Sequence, residues 1–80
     1  MIDCLLLLHV GGHLLARETQ LPIQPFTGLE LMVGESAGWN QMTVEWVICD
    51  TENKQLRVWV IQRQSCKIEK LFACGWKDRQ

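Results

Sequence analysis

The sequence lacks tyrosine and has only two prolines among its 80 residues. It also lacks a long apolar run, because the stretch from Cys4 to Val10 is too short to span a bilayer. Asp3, rather than a lysine or arginine, precedes this run, and no small-residue cleavage site follows it. We therefore expect no membrane segment, no export signal and a cytoplasmic location.

An excess of positive charge is also missing, since the formal net charge is −1. Duplex nucleic-acid binding relies on neutralising several phosphates, so this balance gives it no support. From position 57 onward the basic residues are Arg57, Arg63, Lys67, Lys70, Lys77 and Arg79. We interpret them as part of a solvated surface of mixed charge and expect no nucleic-acid partner.

No metal or cofactor motif is present. The four cysteines include no Cys-x-x-Cys pair, and Cys66 and Cys74 do not have a usual zinc spacing. We expect reduced cysteines, half-buried as small apolar residues. His9 and His13 could form a metal pair on a helix, but no third ligand is evident. The sequence thus predicts neither a cofactor nor a metal.

The clearest structural pattern runs from Met42 to Arg63 and predicts a β-hairpin. Apolar residues occupy the even positions of both runs, and the turn-forming segment Asp50 to Lys54 separates them. A five-residue loop pairs Ile48 with Leu56, Trp46 with Val58 and Val44 with Val60. This register places both even rows, including Trp46, on the face that packs into the core.

The opposite face of this hairpin carries Glu45, Val47, Arg57, Trp59 and Ile61. A face turned only to water would not need so many apolar groups, so a helix of the chain or another chain must cover it. Both explanations remain open. Val47, Arg57, Trp59 and Ile61 are the candidate interface residues, because tryptophan is enriched at interfaces.

The N-terminal half is typical of strands joined by turns. Ile2 to Val10 predicts a buried strand, Gly11-Gly12 a tight turn and His13 to Glu18 the returning strand. Thr19 to Thr27 predicts an extended connector, anchored on the core by Leu21, Ile23 and Phe26. Gly28 to Gly34 predicts a short strand with Leu29, Leu31 and Val33 in one row, and Glu35 to Gln41 predicts a loop that holds Trp39.

The C-terminal segment favours a short helix, with a strand as the alternative. Ser65 would cap its start, and Ile68, Leu71 and Phe72 would share one face. Gly75 would end the helix in the left-handed conformation, with Trp76 folding back onto Leu71.

These elements define a single domain over residues 1–80. The predicted fold is α+β: a strongly curved antiparallel sheet of about five strands, barrel-like in its curvature, with one short C-terminal helix.

The succession LPIQPFTGLELMVG, TVEWVICD and QLRVWV, followed by a segment that ends in Gly-Trp-Lys, resembles a group of bacterial proteins. These are the small α+β or barrel-like proteins encoded on mobile integron gene cassettes. The similarity covers roughly residues 13–77 as a pattern. It implies a bacterial, cytoplasmic and often oligomeric protein of a kind whose function is mostly unknown, and it assigns no site residues.

The sequence alone favours a small non-enzymatic binding module that forms a homodimer through an apolar sheet face. Four tryptophans in a small domain support self-association, because oligomers add burial that a small core cannot supply. Trp39 and His13 are the candidate contacts to a ligand, and the partner protein or small molecule is left open.

Two other classes of function remain. One is an enzyme, or an accessory part of one, with a site at a subunit interface built from His9, His13, Glu45 or Arg57. The other is a nucleic-acid-associated regulator that uses the C-terminal basic residues.

Overall fold

A computed structural model of the chain describes residues 1–35, 38–64 and 67–79. Within these ranges the chain forms six strands and one helix. In chain order they are β1 (Ile2–Val10), β2 (His13–Leu21), β3 (Glu30–Glu35), β4 (Gly38–Asp50), β5 (Gln55–Gln62), α1 (Ile68–Ala73) and β6 (Lys77–Asp78).

The strands form one sheet in the order β3-β4-β5-β1-β2-β6, curled into a half-barrel. The predicted α+β class with a curved sheet is therefore confirmed. All neighbouring strands are antiparallel except β1 and β5, which run parallel with Cys4 opposite Leu56 and Leu8 opposite Val60. This parallel ladder joins the N-terminal hairpin to the three strands β3, β4 and β5.

The N-terminal hairpin turns at Gly11 and Gly12, as predicted. Both glycines have positive φ, +54° and +82°, which is the backbone that a two-residue hairpin loop of the favoured twist requires. The returning strand continues past Glu18 to Leu21. The first part of the predicted connector is consequently paired with β1.

The half-barrel encloses the main core, and α1 covers this inner face. The core residues are all at most 6% exposed and come from five strands, the helix and the turn after it: Cys4, Leu6, Leu8, Leu15, Val33, Met42, Val44, Val58, Val60, Leu71, Cys74 and Trp76. Burying such side chains contributes about 1.5–3 kcal/mol each.

The end of α1 confirms the predicted left-handed glycine. Gly75 has φ +94°, and its N–H donates to the carbonyl of Phe72 at 3.2 Å. The N–H of Trp76 donates to the carbonyl of Leu71 at 3.1 Å, which completes a Schellman ending. Trp76 is buried with Leu71, whereas Phe72 is 43% exposed, so its predicted place on the buried face was wrong. The proposed cap Ser65 lies outside the described residues.

A β-bulge at Glu45 makes two of the three predicted hairpin pairs wrong. Val44 pairs with Val60 as expected, but the next pair is Trp46 with Trp59, followed by Val47 with Val58. One extra residue on β4 shifts every later side chain to the other face. The turn is correspondingly shorter, since Asp50 pairs with Gln55. Trp46 therefore lies on the outer face and Val47 on the inner one.

The segment predicted as a loop from Glu35 to Gln41 is mostly strand. Gly38 opens β4, and Trp39 pairs with Gly34 of β3. Two predicted anchors of the connector are also wrong, because Ile23 is 51% and Phe26 55% exposed. Pro25 is the buried residue of that connector.

Candidate interaction surface

The outer face of the sheet carries an apolar row that crosses four strands and ends at a lysine on the fifth. Register places Trp46 of β4, Trp59 of β5, Leu7 of β1, Ala16 of β2 and Lys77 of β6 side by side. Paired side chains of neighbouring strands project on the same face, so these residues share the outer surface. The bulge brings Trp46 into this row.

A second, smaller buried layer supports this row. Leu5, Leu7 and Ala16 are at most 8% exposed, and Leu14 and Trp59 pack against them. Because the helix lies on the inner face, these residues are covered by their neighbours on the outer face itself. The sheet thus has apolar contacts on both of its faces, as expected from Trp59 and Ile61 in the sequence.

Three aromatic rings lie together at the centre of the outer face. The ring of His9 stacks on Trp59 with 5.3 Å between centroids and 15° between planes. Trp46 packs against the same indole at 5.9 Å with a tilt of 36°. The Nε1–H of Trp59 is buried and donates to no acceptor among the described residues. An unpaired buried donor costs about 1–3 kcal/mol.

Large apolar side chains remain exposed around Trp59. Trp46 is 51%, Ile61 49% and Ile48 40% exposed. We call Trp46, Ile48, Trp59, Ile61 and His9 together the outer patch. Contiguous apolar groups of this kind mark interaction sites more often than scattered ones do.

Three of the four predicted interface residues lie on this face: Arg57, Trp59 and Ile61. Arg57 sits beside the patch, opposite Ile48, and its Nη2 lies 3.2 Å from Oδ2 of Asp50. Val47 was assigned to this face wrongly, because after the bulge it packs against the inner core. Trp46 was missed for the same reason. A residue such as Glu45 within an otherwise apolar run is the signal that could have indicated a bulge.

The two candidate ligand contacts lie on different strands of the sheet. Trp39 lies near the start of β4, and its side chain is outside the described part of the structure. His13 opens β2, where its Nδ1 lies 3.2 Å from Oδ2 of Asp78, and both side chains are well exposed.

The residues that the sequence suggests for a metal site or an active site also lie at different positions in the sheet. His9 stacks on Trp59 on the outer face of the sheet. His13 lies beside the hairpin turn, at a position of β2 that alternation assigns to the inner face. Among the residues that the structure describes, no group of three or more His, Cys, Asp or Glu is placed to hold a metal ion. His9 and Arg57 do share the outer face, on opposite sides of Trp59.

The thiols differ in their surroundings. Cys4 and Cys74 are free and buried in the inner core, and Cys49 is free and exposed. Burial, with a smaller contribution from the charge of Asp3, raises the pKa of the Cys4 thiol above its usual range. A buried thiol held in its protonated form is a poor nucleophile. Cys66 lies outside the described residues.

The C-terminal basic residues lie on different elements of the fold. Arg63 pairs with Glu30 of β3, while Lys67 and Lys70 lie at the start and in the last turn of α1. Lys77 belongs to β6 at the other edge of the sheet.

The chain matches no family model, no curated protein and no solved structure. Within residues 1–35, 38–64 and 67–79, no helix is long and apolar enough to cross a membrane.

Proposed function

We propose that the protein is a small non-enzymatic interaction module that self-associates through the outer patch. The observation that carries this proposal is the exposure of Trp46, Ile48 and Ile61 around Trp59, on a face that α1 leaves uncovered. These groups lie over an already buried layer, so a second copy would extend a packed apolar surface.

The shape of the molecule supports a second copy as the occupant. The two longest dimensions are 32 and 25 Å, so the broad face is large enough for the roughly 800 Å² per partner of a standard interface. A two-fold axis through the outer patch would place Trp46 of each copy in the centre, where hot-spot residues cluster. The outer face carries positive charge on Arg57 and Lys77 and negative charge on Glu18 and Glu45. The outer faces of two copies can therefore be complementary in charge.

The proposed setting is the bacterial cytoplasm, in line with the resemblance to cassette-encoded proteins. The free thiols of Cys4, Cys49 and Cys74 agree with a reducing compartment.

The test is the solution mass by light scattering, at low and at high salt. We expect the wild-type chain to be a dimer whose mass does not change with salt, because apolar burial is not screened. Trp46→Lys should give a folded monomer, since Trp46 is half exposed in one copy and its replacement leaves the inner core intact. Phe26→Lys is the matched control: Phe26 is 55% exposed but lies on the connector, so this variant should stay dimeric.

A wild-type monomer at micromolar concentrations would contradict the proposal. So would a dimer that persists in Trp46→Lys, because the interface would then lie elsewhere. A dimer that dissociates in high salt would point to a charged interface and would also exclude the outer patch.

A further inference from the structure

The half-barrel is open between its two ends. One end of the sheet is β3, and the other is β2 with the short β6. β6 covers β2 only at Leu15 and Ala16, and among the described residues no strand pairs with β2 beyond that point or with the free side of β3. A cleft of about 330 Å³ lies in this gap and is lined by residues of both strands.

The free edge of β2 presents backbone groups to this gap. Val10 and His13 close the hairpin, so His13 and every second residue after it bond to β1. The intervening residues point away from β1, and the carbonyl of Leu14 accordingly accepts from the N–H of Arg79 at 2.8 Å. By the same alternation, the backbone N–H and C=O groups of Glu18 and Gln20 point outward.

The free edge of β3 is arranged in the same way. The carbonyl of Leu29 accepts from the N–H of Val44 at 2.8 Å, which sets the alternation of the strand that follows. Leu31 and Val33 then bond to β4, and the backbone groups of Met32 and Gly34 point into the gap. Two unpaired edges that flank one cleft are a template for an added strand.

The cleft is lined by apolar residues, by the polar Thr19 and Gln20 and by one charged residue. Leu21, Leu31 and Val33 come from the two edges, and the buried Leu6 forms the floor. The charged residue is Arg17 of β2, which is partly buried. Among the described residues, no carboxylate or other acceptor bonds to its guanidinium. A partly buried guanidinium without a partner favours an anionic group.

We propose that the gap between β2 and β3 binds an extended acidic peptide of a partner protein. The peptide adds a strand to one or both free edges through main-chain hydrogen bonds, and its carboxylate pairs with Arg17. Apolar side chains on either side of that acid, two positions away, pack against Leu21 and Leu31. This site lies on the open side of the half-barrel and does not depend on self-association through the outer patch.

A second copy fits this cleft less well than a foreign peptide. Leu31 and Val33, the inward residues of β3 that line the cleft, offer no carboxylate, and pairing β2 with itself would bring two Arg17 side chains together. We therefore assign the charge that pairs with Arg17 to a segment of a partner protein.

The experiment is an NMR titration of the isotope-labelled full chain with the blocked peptide Thr-Val-Thr-Glu-Thr-Val-Thr. The matched control peptide has Gln in place of Glu. We expect shifts and slower hydrogen exchange at the amides of Glu18, Gln20, Met32 and Gly34. The Glu peptide should bind about tenfold more tightly than the Gln peptide, as expected for a charge-assisted pair. In Arg17→Gln this preference should disappear.

The comparison of the two peptides in the wild-type chain tests the charge pair even where Arg17→Gln does not fold. Equal affinity for both peptides, or no response at these four amides, would overturn the proposal. So would shifts confined to the outer patch. Protection of the same amides that grows with protein concentration, without peptide, would assign the cleft to a second copy and would equally overturn it.

Discussion

Deleting Glu45 should leave the fold intact, whereas deleting Thr43 on the same strand should disrupt it. Glu45 is the extra residue between the pairs Val44–Val60 and Trp46–Trp59. Without it, these two pairs become neighbours in a regular ladder, and every side chain keeps its face. Only the added twist of the bulge is lost.

The structure sets the size of the difference. Glu45 is exposed, so its deletion should lower the free energy of unfolding by no more than about 1 kcal/mol. After deletion of Thr43, the ladder can stay in register with β5 only if Val44, 1% exposed, turns outward and Glu45 turns inward. Losing the burial of one valine costs about 1.5–3 kcal/mol, and burying an unpaired carboxylate adds more.

Thermal unfolding followed by tryptophan fluorescence measures both variants. For a domain of this size, each 1 kcal/mol shifts Tm by about 4–8 °C. We therefore expect a decrease of at most about 8 °C without Glu45, and of more than about 12 °C, or no folded state, without Thr43. The circular-dichroism signal of the coupled Trp46 and Trp59 rings should persist in the first variant. Equal destabilisation by the two deletions would refute the assignment of Glu45 as the bulged residue.

Three further outcomes are expected. Gly75→Ala should lower the free energy of unfolding by about 1–2 kcal/mol in urea, because φ is +94° there, and Gly75→Asn should lower it less; equal losses would contradict this. Hydrogen bonds from the side chain and backbone of Asn53 lower the pKa of Asp50. The ionised Asp50 therefore stabilises the fold at pH values above the unfolded carboxyl pKa of about 3.9, and this stabilisation is lost as pH falls through the folded pKa. Urea midpoints against pH should show that loss in the wild-type chain and not in Asp50→Asn. Iodoacetamide should label Cys49 rapidly and Cys4 only on unfolding, as peptide mass spectrometry would show; early labelling of Cys4 would be inconsistent with its burial.

The elements with strong local signals could be predicted from the sequence. Gly11-Gly12 gave the N-terminal turn, and Gly75 followed by Trp76 gave the end of the helix, because both depend on backbone angles that glycine adopts readily. The alternation of apolar and other residues also predicted which side chains of β3 face the core. These are contacts between residues close in sequence, so local chemistry decides them.

The parts that the sequence did not predict depend on contacts between distant residues. An apolar run with one charged residue fits a regular strand or a bulged one equally well, and only the partner β5 shows that Glu45 is extra. Trp46, predicted on the inner face, therefore lies on the outer one, and Val47, predicted on the outer face, lies on the inner one. For this reason Trp46 was missed as part of the candidate site. That Arg17 lacks a partner among the described residues could not be predicted either, because it depends on which strands end the sheet.

The parallel ladder between β1 and β5 has a consequence for how the chain folds. Each of its pairs, from Cys4–Leu56 to Leu8–Val60, joins residues 52 positions apart. Closing a loop of that length costs about 3.5 kcal/mol in chain entropy, whereas the N-terminal hairpin closes over a two-residue turn.

We therefore expect the hairpin of β1 and β2 and the meander of β3 to β5 to form first and to dock afterwards in the rate-limiting step. The exposed connector between them contains Ile23 and Phe26, which are not held by the core. Two chains that meet before docking can complete each other's sheets by exchanging hairpins, which is domain swapping. The rate of docking therefore sets how often domain-swapped chains form during synthesis.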